Sequence, residues 1–217
     1  IDEAGEDRRL RMGTVAFALT LVLVVGTCMN SGKTFAAAET IRLLTHAGVK
    51  VAAGKLSGVA AQRDLLLMLD NGACAIGSFL DCGLPSTVNA PYLGDVARAV
   101  IHKLDAENAD VILLELGDGV IGGYNTGSIL NDASVRQRTG CLVLCANDLV
   151  GTWGGVQHLG ASDHRVDVVS GPVTDNMVGT TYIENDLKLR AANARTQAPL
   201  LARHVAEVLG LRIEIGR

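Results

Sequence analysis

Aromatic residues are scarce in this chain: one Trp, three Tyr and three Phe make up 3% of 217 residues. No stretch sets clustered Lys or Arg among them, and the net charge is −4. Both features argue against nucleic-acid binding. Only four prolines are present, against 25 glycines. That balance fits many short βα turns and excludes a disordered, low-complexity chain. Five cysteines occur, Cys28, Cys74, Cys82, Cys141 and Cys145, with no CxxC pair. An odd count without that spacing excludes a zinc site or disulfide framework as the leading reading. It points to a reducing, cytoplasmic setting. Cys141 and Cys145 lie four apart in an apolar strand and read as small core residues on one face. Long hydrophobic runs are missing too. The run from Val15 to Val25 is too short to span a bilayer. It leads straight into a glycine-bounded loop, which argues against a secretory signal.

What is present is mostly apolar, 48% of the residues. At this length the chain can bury one α/β core. Short β-rich runs alternate with longer helical segments. That pattern predicts a three-layer α/β fold, a mainly parallel sheet with helices on both faces. Strands are expected over 21–25, 49–54, 75–80, 110–116, 141–146 and 166–170. Helices are expected over 35–44, 63–70, 93–104 and 200–209. Gly48 is expected to cap the first helix. Residues 1–20, with the charged opening Asp2-Glu3-Ala4-Gly5-Glu6-Asp7-Arg8-Arg9, read as an arm or the remnant of a preceding domain. Residues 21–217 read as a single phosphate-binding domain.

The most informative segment is Gly26-Thr27-Cys28-Met29-Asn30-Ser31-Gly32-Lys33-Thr34. It joins a buried strand to a helix. Glycines let the backbone approach an anion, and the loop amides and helix N-terminus face it. Lys33 meets the outer phosphates and the Thr34 hydroxyl takes a place on Mg²⁺. Five residues separate Gly26 from Gly32, one more than the common spacing. Cys28 reads as a small residue tolerated in the loop.

A magnesium-holding carboxylate is needed at the end of a neighbouring apolar strand. Glu115 is the candidate, flanked by Leu113, Leu114 and Leu116, where a carboxylate is costly unless paired or metal-bound. Asp118 in the following Gly117-Asp118-Gly119 competes for that role or serves the turn. Lys55, expected in a turn just past the second strand, can bridge phosphate and an anionic substrate. Asp64 is either a further magnesium ligand or a first-turn helix acid. Asp81, Ser86 and Thr87 form a polar cluster for which turn formation and capping are favoured over substrate contact. The segment Gly151-Thr152-Trp153-Gly154-Gly155-Val156-Gln157 reads as a glycine-rich loop. His158 behind it is expected in a surface or helix role. No Asn-Lys-x-Asp guanine signature is present, since Asn147-Asp148 lacks the lysine, so ATP is favoured over GTP. Asn176 is placed to reach the adenine or to serve a turn.

With the loop, Lys55 and Glu115 together, the chain resembles the dethiobiotin synthetase-like branch of P-loop proteins. That branch shares the five-residue spacing, a lysine after the second strand and a glutamate before a glycine-rich turn. It carries an acid where this chain has Cys28. The chain is also similar to a widespread family of poorly characterised bacterial P-loop proteins. That family shows Gly-Thr-x-Met-x-Ser/Ala-Gly-Lys-Thr and an Asp-x-Gly-x-Pro-Ser-Thr segment, here Asp81-Cys82-Gly83-Leu84-Pro85-Ser86-Thr87. The resemblance implies an ATP- and Mg²⁺-dependent enzyme acting on a small acidic metabolite, with Lys33, Lys55 and Glu115 at the chemistry. It also implies a homodimer and a Rossmann-like domain before the P-loop domain. One branch is linked to N-acetylation of a D-amino acid, which makes acetyl-coenzyme A the alternative phosphate-bearing ligand. A non-catalytic nucleotide-binding module is the remaining reading.

Overall fold

The computed structural model describes residues 20–215. The expected arm therefore lies outside the described residues, apart from Thr20, which opens the first strand. The chain order is β1 (Thr20–Gly26), α1 (Lys33–His46), β2 (Val51–Ser57), α2 (Gln62–Asp70) and β3 (Ala75–Ser78). Then come α3 (Leu93–Asp105), β4 (Val111–Leu116), α4 (Thr126–Leu130), α5 (Ala133–Arg138) and β5 (Thr139–Cys145). The chain closes with α6 (Leu149–Gly160), β6 (Val168–Ser170), α7 (Met177–Asn185), β7 (Arg190–Ala191) and α8 (Ala198–Val208).

The seven strands form one sheet in the order β3-β2-β4-β1-β5-β6-β7. Every pairing between neighbours is parallel. Parallel pairing requires a crossover after each strand, and those crossovers cover both faces with helices. The central strands are buried on both sides, so they read as continuous aliphatic runs. Alternate residues nonetheless feed two separate cores. Leu21, Leu23, Ile112, Leu114, Leu142 and Leu144 pack with α3, α4 and α6. Val22, Val24, Leu113, Val143, Cys141 and Cys145 pack with α1 and α8. Burial pushes the thiols of Cys141 and Cys145 well up. They are inert core residues, as their spacing predicts.

The expected strands and helices are in place; α4, α5, α7 and β7 are additions to them, and three expected segments differ. The second strand runs on to Ser57, because its ladder with β4 continues through Lys55↔Glu115 and Ser57↔Leu116. Lys55 is thus a strand residue and not a turn residue. The third strand stops at Ser78, where a 3₁₀ turn over Phe79–Cys82 begins. Asp81 closes a reciprocal cap on that turn, accepting a bond from Ser78 N at 2.8 Å. The glycine-rich segment from Gly151 lies in α6, not in a loop. Asp148 caps that helix through Gly151 N at 2.7 Å, and the burial of Thr152, Gly155 and Leu159 against the rest of the domain overrides the poor helix propensity of its glycines.

Leu23 sits at the centre of the sheet with no exposed surface. Leu23→Ala is expected to cost about 2–5 kcal/mol. Leu66→Ala, on the half-exposed outer side of α2, is expected to stay within about 0.5 kcal/mol of the parent. Urea midpoints compare the two, and equal losses would contradict the placement of the core.

Candidate functional site

Because all strands run the same way, every loop at their C-terminal ends lies on one sheet edge. β1 is flanked there by β4 and β5. The segment between β1 and α1 turns through Asn30 at φ 60° and Gly32 at φ 90°. Gly32 serves as the N-cap of α1 with no side-chain cap, and the first turn carries no acid. The first amides of α1 are thus left for an external anion, next to the positive end of the helix dipole. Gly26 is needed for close approach. A Cβ there would meet Lys33 Cδ at 2.8 Å and Lys33 Nζ at 2.9 Å, as well as the Ser31 hydroxyl.

The Lys33 side chain is buried and folds back over the loop. Its ammonium donates to Cys28 O at 2.9 Å and to Ser31 Oγ at 3.4 Å. Both are neutral acceptors, so among the described residues the charge itself has no counter-ion in direct contact. Neighbouring loops brace the segment. Val120 N donates to Gly26 O at 2.8 Å. Asn147 Nδ2 donates to Cys28 Sγ at 3.2 Å. Gly171, past β6, stands where a Cβ would meet Ser31 O and Ala146 O. Met29 is exposed on the outside of the loop.

Glu115 is 2% exposed. Its position in β4 follows the Val111, Leu113 alternation, which turns it toward the α1 side of the sheet. There Oε1 accepts the Thr34 hydroxyl at 3.0 Å and lies 3.9 Å from Lys55 Nζ. Its other oxygen, Oε2, is buried and has no hydrogen-bond partner among the described residues. Burial pushes the carboxyl up from its ordinary value of 4.5, with Asp64 adding to the rise. Lys55, the Thr34 hydroxyl and Lys33 pull it back. An orphaned buried carboxylate oxygen beside a threonine hydroxyl, at the edge of an anion-binding loop, fits a hard divalent cation. Among the described residues no cluster of three His, Cys, Asp or Glu could hold a metal. Thr34 and Glu115 would therefore share such an ion with ligand phosphate oxygens and water.

Lys55 and Glu115 are strand partners in register. The Lys55 ammonium is clamped by Asp64 from the first turn of α2. The structure thus brings Asp64 into the cluster as the counter-ion of Lys55. Asp118 is half-buried past β4, and its carboxylate makes no hydrogen bond or ion pair with the described residues. Asn176 lies past β6 and caps α7 through Gly179 N at 3.1 Å. Asp81 and Ser86 serve local turns, Ser86 accepting from Val88 N at 3.2 Å.

Of two supporting residues, Ser57 was not assigned from the sequence and Thr87 was expected only in a polar turn cluster. Ser57 donates its hydroxyl to Gly117 O, tying the end of β2 to the turn behind Glu115. Thr87 accepts from Gly58 N at 2.9 Å and so fixes the chain just beyond Ser57. A serine two residues past Lys55 on the strand is the one signal the sequence offered. Thr87 is brought in from a remote segment through the Val59↔Ser86 bridge.

Two outcomes follow. Because folding raises the Glu115 pKa, the folded protein retains a proton that the unfolded chain releases. Stability contributed through this group is present at low pH and falls as pH rises from 4.5 through the folded value. Glu115→Gln removes that slope. Urea midpoints between about pH 4.5 and 8 should show wild type losing ground to the variant, and identical profiles would refute it. Asp64→Ala leaves the buried Lys55 ammonium with Glu115 alone, 3.9 Å away. It is expected to destabilise by about 3 kcal/mol, read from the same midpoints.

The sequence matches no protein-family model and no curated protein. Solved structures are similar in fold. The signal recognition particle 54 kDa protein from Aeropyrum pernix K1, in complex with GDP, gives a TM-score of 0.59 at 16% identity. That match covers 92% of this chain and 48% of that one. Cell division protein FtsY from Thermotoga maritima gives 0.61 at 14% identity, over 91% of this chain and 71% of that one. The signal recognition particle receptor FtsY from Elizabethkingia anophelis, in complex with GDP, gives 0.58 at 13% identity, over 92% and 66%. The chain therefore spans about half the length of the first of these proteins. The fold is a three-layer α/β fold of the P-loop NTPase type.

Proposed function

We propose that this chain is a Mg²⁺-dependent nucleotide-binding enzyme that uses ATP on a small acidic metabolite, by phosphoryl transfer or ATP-dependent ligation. The observation that carries the reading is the Thr34–Glu115 contact at 3.0 Å, with a buried carboxylate oxygen left unpartnered beside it. It stands next to an uncapped helix N-terminus and a lysine that contacts only neutral acceptors. Two of the similar structures are complexes with GDP, which supports a nucleotide as the ligand and makes the base an arm of the test.

In this reading the Lys33 ammonium leaves Cys28 O and Ser31 Oγ and moves onto the outer phosphates, joined by the amides of the loop and of the first turn of α1. Magnesium, held between Thr34 and Glu115, neutralises phosphate charge when bound. Glu115 must be ionised for that, which a nearby cation favours. Lys55 presents its ammonium to the metabolite's carboxylate or carbamate, and Asp64 fixes where that ammonium sits. Catalysis of this kind is positioning and charge neutralisation. Asn176 would contact the base in this reading, giving up its capping bond to α7.

Calorimetry with ATP·Mg²⁺, GTP·Mg²⁺ and acetyl-coenzyme A separates the readings. The expected result is ATP binding that weakens at least about tenfold, or about 1.4 kcal/mol, without Mg²⁺. It should vanish in Lys33→Ala and lose its magnesium dependence in Thr34→Ala. Binding of acetyl-coenzyme A alone would overturn the ATP reading in favour of an N-acyltransferase. GTP binding in place of ATP would overturn the choice of base. Tight ATP binding with no turnover on any small acid would leave a nucleotide-binding module.

A further inference from the structure

Arg195 carries a charge that the described residues leave unmatched. It is exposed in the connection between β7 and α8, and among the described residues its guanidinium makes no hydrogen bond or ion pair. It lies over the ring of Phe35, 5.9 Å from the centroid. Phe35 directly follows Thr34 in the first turn of α1. A cation from a remote part of the chain therefore stands beside the helix start on which the phosphate loop ends.

A buried amide fixes the Arg195 backbone in that place. Asn193 is 2% exposed. Its Nδ2 donates to Thr174 Oγ1 at 3.2 Å and to Asp175 Oδ1 at 2.7 Å. Its Oδ1 accepts from Arg195 N at 2.8 Å and from Thr196 N at 3.1 Å. Both donors and both lone pairs are thus used, which removes the cost of burying the amide. Thr174 donates in turn to Gly171 O at 2.7 Å. Gly171 packs on the phosphate loop: a Cβ on Gly32 would lie 3.5 Å from Gly171 Cα and 3.8 Å from Pro172 Cδ. A line of bonds and contacts runs from the loop through Gly171, Thr174 and Asn193 to Arg195, and Phe35 meets it from α1. Asn193 also serves the turn into α8, but that turn does not require an unpaired guanidinium over an aromatic ring.

The sheet order gives the side on which this happens. Glu115 on β4 and Lys55 on β2 lie to one side of β1, while β5, β6 and β7 follow on the other. A nucleotide whose outer phosphates and metal sit toward β4 extends its inner phosphate and nucleoside toward β6 and β7, where Arg195 stands.

We propose that Arg195, held over Phe35, grips the innermost phosphate of a bound nucleotide. The inference rests on the nucleotide reading above. A guanidinium suits the task because it is permanently charged and presents a planar fork to phosphate oxygens. The Phe35 ring supports that plane through its negative face. Lys33 and magnesium take the outer phosphates, so separate cations hold the two ends of the triphosphate.

Calorimetry on the full chain with ATP·Mg²⁺, ADP·Mg²⁺ and pyrophosphate·Mg²⁺ tests this. Pyrophosphate fills the outer positions and carries no nucleoside-linked phosphate. In Arg195→Ala, ATP and ADP binding is expected to weaken about tenfold or more, while pyrophosphate binding is retained. Arg165→Ala, which removes an exposed cation just before β6 at the opposite edge of the sheet, should leave all three unchanged. Equal ATP affinity in wild type and Arg195→Ala overturns the proposal and leaves the nucleotide reading standing. An equal loss for pyrophosphate also overturns it, because the guanidinium then serves the outer phosphates. A wild type that binds neither ATP nor ADP removes the nucleotide reading itself, and this proposal with it. Should Arg195→Ala lower the thermal melt, Arg195→Gln takes its place, and the same comparisons decide.

Discussion

The pairing of β1 with β4 on one side and β5 on the other underlies everything at this site. β1 delivers Gly26 and the phosphate loop, β4 delivers Glu115, and β5 delivers Asn147. Val24 stands in register with Glu115, and Gly26 with Cys145. A slip of one residue in β4 would turn Glu115 into the opposite core and bring Leu114 or Leu116 to the loop. The aliphatic neighbours of Glu115 prevent that slip, because both faces of β4 are filled by residues that cannot leave them. The same burial that fixes the register strips solvent from the carboxylate and raises its pKa. Structural precision and chemical tension at Glu115 have one origin.

A second layer of constraint fixes the lysine. Lys55 lies on the strand next to Glu115, where an unpaired ammonium would be costly to bury. Asp64 reaches in from α2 to supply the charge. That makes a chain of alternating contacts from Thr34 through Glu115 and Lys55 to Asp64. Glu115 Oε2 in that line is buried with no hydrogen-bond partner among the described residues. Around this polar line the neighbouring loops are braced by backbone bonds rather than by side-chain packing, which leaves their own apolar side chains outside.

Much of this was legible in the sequence for simple reasons. A buried parallel strand needs a run of aliphatics, so β1, β4 and β5 announce themselves. The loop announces itself through Gly26, Gly32 and Lys33, because anion binding by backbone demands small residues at fixed places. The last turns were harder. The extension of β2 through Lys55 to Ser57 is invisible locally, since Gly54 and Gly58 both read as turn residues. It exists because β4 offers ladder partners as far as Leu116. The helix α6 was hidden by its glycines; it forms because its Thr152, Gly155 and Leu159 face is buried, with Asp148 capping its start.

The sequence by itself determined the fold class, the glycine-bounded strand–loop–helix segment and the identity of the buried carboxylate. Each is written in short-range pattern: alternation, a strand–loop–helix order and the expense of a charged residue among leucines. Only the tertiary structure decided what Asp64 does and where Lys55 points. Those depend on which remote strands and loops lie side by side. Neighbourhood across the sheet is set by the packing of whole elements, which no local stretch of residues encodes.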